Sequence, residues 1–316
     1  MENHADIREK IIIDTDIGDD IDDALAIAFA LNSPEVEVVG LTTVFGDTGA
    51  RARIAASLLR TAGRTGIPVY AGCMQPINGP VHPCGAPCQY IADAMDRIEI
   101  PGKHAVDYLI ETVMGAEEPV TVLAIGPLTN LAAALLKEPR LRQKLNRIVI
   151  MGGAYYFHFI EWNIHCDPEA ANIVFRSGIP MTAVGLDVTK RCLMNAEQLA
   201  RLERAETPLA RLLWRLIRQW QRDTGRTYPI LHDALAAYGV FGETHLRFER
   251  EAVAVEMAGK HTRGMTFNLT DRDREEQLVQ AAVRAAEGSA VMAAADVDSE
   301  AFIALFLDRL LKGAEA

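Results

Sequence analysis

The stretch IIIDTDIGDDIDDALAIAFAL, residues 11–31, places Asp14, Asp16, Asp19, Asp20, Asp22 and Asp23 between three isoleucines and an apolar run. Carboxylates this close repel one another, so their spacing asks for a partner. One candidate is a hard cation, Ca²⁺ or Mg²⁺, which takes carboxylate and carbonyl oxygens. Another is a helix N-terminus, where Asp22 and Asp23 would cap free N–H groups ahead of ALAIAFAL. The third is an aspartyl nucleophile of phosphotransferase type, with an Asp-x-Asp pair following a strand. Capping accounts for one or two acids, not six. An EF-hand loop needs acids at positions 1, 3 and 5, glycine at 6 and glutamate at 12, and the run does not match. Phosphate handling calls for lysine or a glycine-rich cradle, but residues 11–50 contain neither lysine nor arginine and no Walker-type motif occurs. A cation held here suits a neutral, hydroxyl-rich substrate whose vicinal hydroxyls complete the oxygen shell. That chemistry points to a sugar.

The elements that must position these acids follow from hydrophobic rhythm. KIIID, VEVVGLTTV, IPVYAG, VTVLAIG, RIVIMGG and MTAVGLD read as strands buried on both faces. DDALAIAFAL, GARARIAASLLRTAG, KHAVDYLIETVM, LTNLAAALLK and DPEAANIVFRSG alternate with them at helical spacing, the last capped by Asp167 with proline in its first turn. The pattern predicts an α/β fold in a single domain, residues 1–316, with a mostly parallel open β-sheet and helices on both faces. Residues 195–225 read as helical. EAVAVEMAG, TRGMTFNL and SAVMAAADV suggest late strands, and a closing helix is expected from residue 298 to about 312. Ligands of open α/β sheets bind beyond the carboxyl ends of the strands. Asp14 and Asp16, Gly46-Asp47, Gly126 and Gly152-Gly153 all fall at such ends, which predicts one shared rim.

A formal net charge of −11 argues against nucleic acid as a partner. The local exception, RLLWRLIRQWQRDTGR at residues 211–226, has Leu212, Leu213, Leu216, Ile217 and Trp220 at helical spacing and reads as a packed amphipathic helix. The five cysteines are odd in number and scattered, unlike a disulfide framework, and HPCGAPC at residues 82–88 reads as a Pro/Gly loop rather than a soft-metal site. The polar N-terminus lacks an apolar signal core and the longest apolar run is too short for a bilayer, so a cytoplasmic setting with no membrane partner is the expectation.

DTDIGDDIDDALA resembles the N-terminal signature of the nucleoside hydrolases, the inosine/uridine-preferring N-ribohydrolase family. LTTVFGDT, VLAIGPLTNLA, VIMGGAY, EWNIHCDPEAA, PILHDALA and TRGMTFNL continue the likeness in the family's order over nearly the whole chain. The resemblance implies a Rossmann-like nucleoside hydrolase fold, a small-molecule ribonucleoside as substrate, a Ca²⁺ cofactor, and a homodimer or homotetramer. It casts Asp16 as calcium ligand and general base on the attacking water, Asp23 as bidentate calcium ligand, Ile125 as a backbone-carbonyl ligand and Asp233 as ligand to both calcium and ribose. Asp22, Glu161 and Asn163 match ribose-hydroxyl binders. His232 matches the histidine near the nucleobase, a candidate for assisting the leaving group. Met151 matches a pocket wall, and His82 sits in a loop where members often carry a base-side histidine.

Three departures stand out. The family's commoner opening is DxDPGxDDA, whereas here Ile17 replaces the proline and two residues are added, leaving Asp19, Asp20 and Asp22 as alternatives for the ribose contact. Asp47 stands where asparagine is usual near the base, and a second carboxylate beside Asp16 would raise one pKa of the pair. The segment between MGG and EWN is short and lacks the asparagine that reaches the 5′-hydroxyl. Two alternatives accompany the hydrolase expectation: a Mg²⁺-dependent aspartyl phosphohydrolase, and an inactive riboside- or calcium-binding protein.

Overall fold

A computed structural model describes residues 8–270 and 289–312. The strands are β1 (Glu9–Thr15), β2 (Val36–Thr43), β3 (Val69–Ala71), β4 (Val120–Ala124), β5 (Leu145–Met151), β6 (Met181–Val184), β7 (Leu246–Val255), β8 (Thr266–Asn268) and β9 (Ser289–Val297). They form one sheet in the order β3-β2-β1-β4-β5-β6-β9-β7-β8. β1 to β6 and β9 pair in parallel. β7 is antiparallel to both β9 and β8, so the sheet is mostly parallel with one reversed strand near an edge.

Strand alternation sends Ile11 and Ile13 of β1 into one core and Ile12 into the other. Leu123 of β4 joins the first core and Val122 the second, so both sheet faces are dry, as near-continuous apolar strands require. The Asp22–Leu31 helix is buried along its whole length. It packs on the His232–Phe241 helix and contributes Phe29 to an aromatic cluster with Phe241, Phe302 and Phe306. Each such side chain contributes roughly 1.5–3 kcal/mol through removal from water. Exchanging a core phenylalanine for alanine would therefore loosen the two helices that carry acids into the site.

The Pro208–Thr224 helix buries Leu209, Ala210, Leu213, Leu216, Ile217 and Trp220, with Leu212 and Trp214 packed partly against the same core. It is a packing helix, ended by Gly225 in the left-handed region at φ 70°. The closing helix is Ser299–Lys312. All five cysteines are free thiols. Among the described residues no helix is long and apolar enough to cross a membrane.

The chain reverses its order of strand addition between β1 and β4: β2 and β3 lie to one side, β5 and β6 to the other. A crevice opens at such a switch point because the flanking connections diverge. Asp14 and Thr15 end β1, and Ile125 directly follows β4. The acidic stretch therefore sits where this topology makes a ligand site.

Candidate active site

A cavity of about 940 Å³ opens above the β1–β4 switch point. Its acidic floor contains Asp16, Asp22, Asp23 and Asp233 beside Ile125, with Asp19 and Asp20 also in the wall. Asp22 and Asp23 begin the Asp22–Leu31 helix, and Asp233 lies in the first turn of the His232–Phe241 helix. Packing between these two helices brings together acids 210 positions apart in sequence. Oxygen atoms of Asp22, Asp23 and Asp233 all lie within 4.8 Å of one another, and the three residues are buried. Burial drives each carboxyl well above its ordinary range, and mutual repulsion adds to the shift.

Asp16 is pushed up to about 7, chiefly by burial and opposed by the Arg51 cation. Its carboxylate lies against Gly126, where an added Cβ would come within 3.0 Å of Oδ1 and 2.9 Å of the Asp16 amide nitrogen. Glycine is the residue that admits this approach. Ile125 accepts a 3.0 Å bond at its carbonyl from Asn163 Nδ2, leaving the second lone pair available to another ligand. Asp23 accepts from Thr15 Oγ1. Asp14 lies beneath the floor, accepting from Thr42 Oγ1 at 2.7 Å and Asn130 Nδ2 at 2.8 Å, and burial raises it to about 7.

Three buried carboxylates facing one another would be destabilised if all were ionised. No arginine or lysine forms an ion pair with Asp22, Asp23 or Asp233 among the described residues. The donor set of carboxylates plus a backbone carbonyl is all oxygen, which fits a hard divalent cation rather than a soft one.

Arg51 stands one residue beyond the lysine- and arginine-free window, and nothing local in the sequence ties it to the acidic stretch. It is only 3% exposed. Its Nε donates to the Phe45 carbonyl at 2.6 Å, one terminal nitrogen donates to the Asp16 and Ile17 carbonyls, and the other pairs with Asp19 at 2.6 Å. A single buried cation thus fastens the turn that carries Asp16. Gly18, at φ 131°, completes that turn beneath Pro87, leaving no room for a side chain.

Glu161 and Asn163 enter the cavity wall from the Trp162–Cys166 helix and its cap. Glu161 accepts from the amides of Asn163 at 2.8 Å and of Ile164 and Gly153 at 3.0 Å. It therefore ties the helix start to the MGG turn as well as facing the cavity. Asn163 Nδ2 also donates to Met151 O at 3.1 Å, and Met151 lines the cavity.

His232 Nδ1 lies 2.7 Å from Thr189 Oγ1. Burial pulls its pKa down to about 4, and the positive charges of Lys190 and Arg226 push in the same direction, so the imidazole is neutral at pH 7. Aromatic residues Phe159 and Trp162 stand at the mouth, 47% and 60% exposed.

Two expected residues stand apart from the cavity. Asp47 turns its carboxylate onto the Thr48–Thr61 helix as its N-cap, accepting from Ala50 N at 2.9 Å. His82 packs its ring 4.3 Å from Phe45, which itself lines the cavity. The residues added to the acidic opening, Asp19 and Asp20, are engaged by Arg51 and Arg226, while Asp22 joins the floor.

The sequence profile described as inosine-uridine preferring nucleoside hydrolase matches residues 11–304. The chain belongs to that family. The probable uridine nucleosidase 2 of Arabidopsis thaliana is 35% identical, covering 96% of this chain and 98% of its own. The inosine-uridine preferring nucleoside hydrolase of Crithidia fasciculata is 33% identical, covering 96% and 97%. A plant nucleoside hydrolase structure superposes with a TM-score of 0.80 at 30% identity over 96% of this chain and 99% of its own. Membership of the nucleoside hydrolases, glycosidases that act on ribonucleosides, replaces the aspartyl phosphohydrolase alternative.

Proposed function

We propose that the chain hydrolyses the N-glycosidic bond of ribonucleosides in a calcium-dependent reaction, with Asp16 as general base. The observation that carries this reading is the meeting of Asp22, Asp23 and Asp233 beside Asp16 and the Ile125 carbonyl, at the switch point of the sheet. Asp16, Asp23, Asp233 and the Ile125 carbonyl would hold the ion. Calcium there would supply the positive charge that offsets the clustered carboxylates, polarises water and orients sugar hydroxyls.

The chain's own groups divide the remaining work. Asp16, once ionised, accepts a proton from the attacking water. Asp22, Glu161, Asn163 and Asp233 bind ribose hydroxyls and hold the anomeric carbon in reach. The acidic floor favours the positive charge that develops on the sugar as the C–N bond breaks. His232 hydrogen-bonds the departing base as a neutral imidazole, with Thr189 fixing its ring.

The test is release of free ribose from purine, pyrimidine and 5′-modified ribosides, with added calcium and with chelator. Ribose release that is lost with chelator and restored by calcium is expected. Saturable nucleoside binding without ribose release would instead establish a riboside-binding protein, and chelator-resistant turnover would remove calcium from the reaction.

A further inference from the structure

The end of the cavity lined by His232 and Lys190 has a chemistry opposite to that of its floor. Lys190 follows Thr189, whose hydroxyl meets His232, and lines the same cavity. Its Nζ stands 4.1 Å from the Phe159 ring centroid and 5.2 Å from that of Phe157. No carboxylate lies within ion-pair distance of Lys190 among the described residues, whereas Arg226, the other lysine or arginine in this wall, is matched to Asp20 at 2.8 Å. Trp220 adds a buried indole N–H that has no acceptor among the described residues. The cavity wall thus offers an uncompensated cation and an unused donor, while the carboxylate of Asp20 is already engaged.

We infer that Lys190 determines leaving-group specificity: its ammonium receives the negative charge that develops on the departing nucleobase, so the site favours bases carrying ring carbonyls. This rests on the proposed hydrolase function. The C1′–N bond breaks and its electron pair passes to the base. A bond forms between C1′ and the water oxygen, and the water proton goes to Asp16. The base departs as an anion delocalised onto its carbonyl oxygens and takes a proton from solvent afterwards. A cation beside that anion lowers the barrier by a charge interaction stronger in the transition state than in the neutral substrate. A base that must first be protonated, as an amino-substituted purine does, meets an opposing charge instead. The aromatic rings beneath Lys190 hold the ammonium in place without neutralising it.

A purely structural role makes a different forecast. Asp187 accepts from the amides of Tyr155 and Tyr156 at 2.8 Å, so the aromatic loop is already anchored near Lys190. If Lys190 only pinned that loop, its loss would weaken every substrate alike.

The experiment measures kcat and KM for inosine, adenosine and 4-nitrophenyl β-ribofuranoside with wild type, K190M and K190R. Because Lys190 is solvent-exposed, its side chain can change without opening the core. K190M is expected to lower kcat for inosine about tenfold, less than the loss of a buried oxyanion donor because water screens the charge. KM should hardly move. The nitrophenyl riboside, whose leaving group needs little help, should stay within about twofold, adenosine should hold or gain because an opposing charge is removed, and K190R should restore inosine turnover. High salt should narrow the gap between wild type and K190M. Equal losses on all three substrates, a rise in KM throughout, an unchanged K190M or failed rescue by K190R would overturn the inference and leave hydrolase function intact. Absence of ribose release with wild type from these substrates and from the purine, pyrimidine and 5′-modified ribosides named above would overturn both.

Discussion

The floor and the mouth of the cavity are built in contrasting ways. Floor acids sit at the ends of β1 and in the first turns of two helices that are buried nearly throughout. Arg51, Thr15, Thr42 and Asn130 fix their surroundings from below. The mouth is made of loops and helix ends, with Phe159, Trp162, Lys190 and Arg226 reaching toward solvent. In the proposed reaction, regular elements carry the groups that need fixed geometry, while loops and helix ends carry the groups that would meet the variable part of a substrate. Substitutions in the floor should cost turnover outright, and those at the mouth should redistribute it among substrates.

The largest effect is expected from Asp16→Asn, which should lower kcat by about 10⁴-fold while nucleoside binding stays measurable by calorimetry. Near-wild-type turnover would take Asp16 out of its role and blur the contrast between floor and mouth. His232→Ala belongs to the boundary between them. A loss of about 10²-fold on purine nucleosides, with little change on 4-nitrophenyl β-ribofuranoside, would mark leaving-group assistance. Equal losses on both would make His232 a structural prop for the floor.

The metal-free floor should also respond to pH in a definite direction. Asp14 and Asp16 titrate near pH 7 in the native state but near pH 4 when unfolded, so the native protein binds more protons between those values. Their contribution to stability is present at low pH and is lost as pH rises from about 4 to about 7. For these two groups, the expected trend is a falling Tm over that interval in chelator, superposed on any titration elsewhere. Calcium should flatten the trend, since a cation stabilises the ionised carboxylates. A Tm slope identical with and without calcium would remove the ion from the floor.

Asp47→Ala should have the smallest catalytic effect. Loss of the N-cap is expected to cost about 1 kcal/mol of stability, seen in chemical denaturation, with kcat within about twofold. A fall in kcat comparable to that of the His232 variant would return Asp47 to the reacting groups.

Much of the fold was legible because burial leaves a local mark. KIIID, VTVLAIG and RIVIMGG are apolar on both faces and short, and each is a parallel strand of the sheet. Four short helices, Ala92–Met95, Leu141–Lys144, Trp162–Cys166 and Leu186–Thr189, were not legible because four or five residues are too few to show a helical period. The sequence placed Asp47 beside the catalytic base by likeness. The structure turns it onto a helix end, since a carboxylate next to free N–H groups finds a nearer partner there.

By itself the sequence determined which residues could do chemistry: a run of acids too dense for capping, set between a buried strand and a buried helix. Tertiary structure decided which of those acids meet. Asp22 and Asp23 join Asp233 because two apolar helices pack against each other, while Asp19 and Asp20 are drawn off by Arg51 and Arg226. It also brought Lys190 into the cavity that His232 lines, with no carboxylate in ion-pair distance among the described residues. Local patterning records whether a side chain is buried, but the approach of distant charges depends on strand order and helix packing, which no single segment encodes.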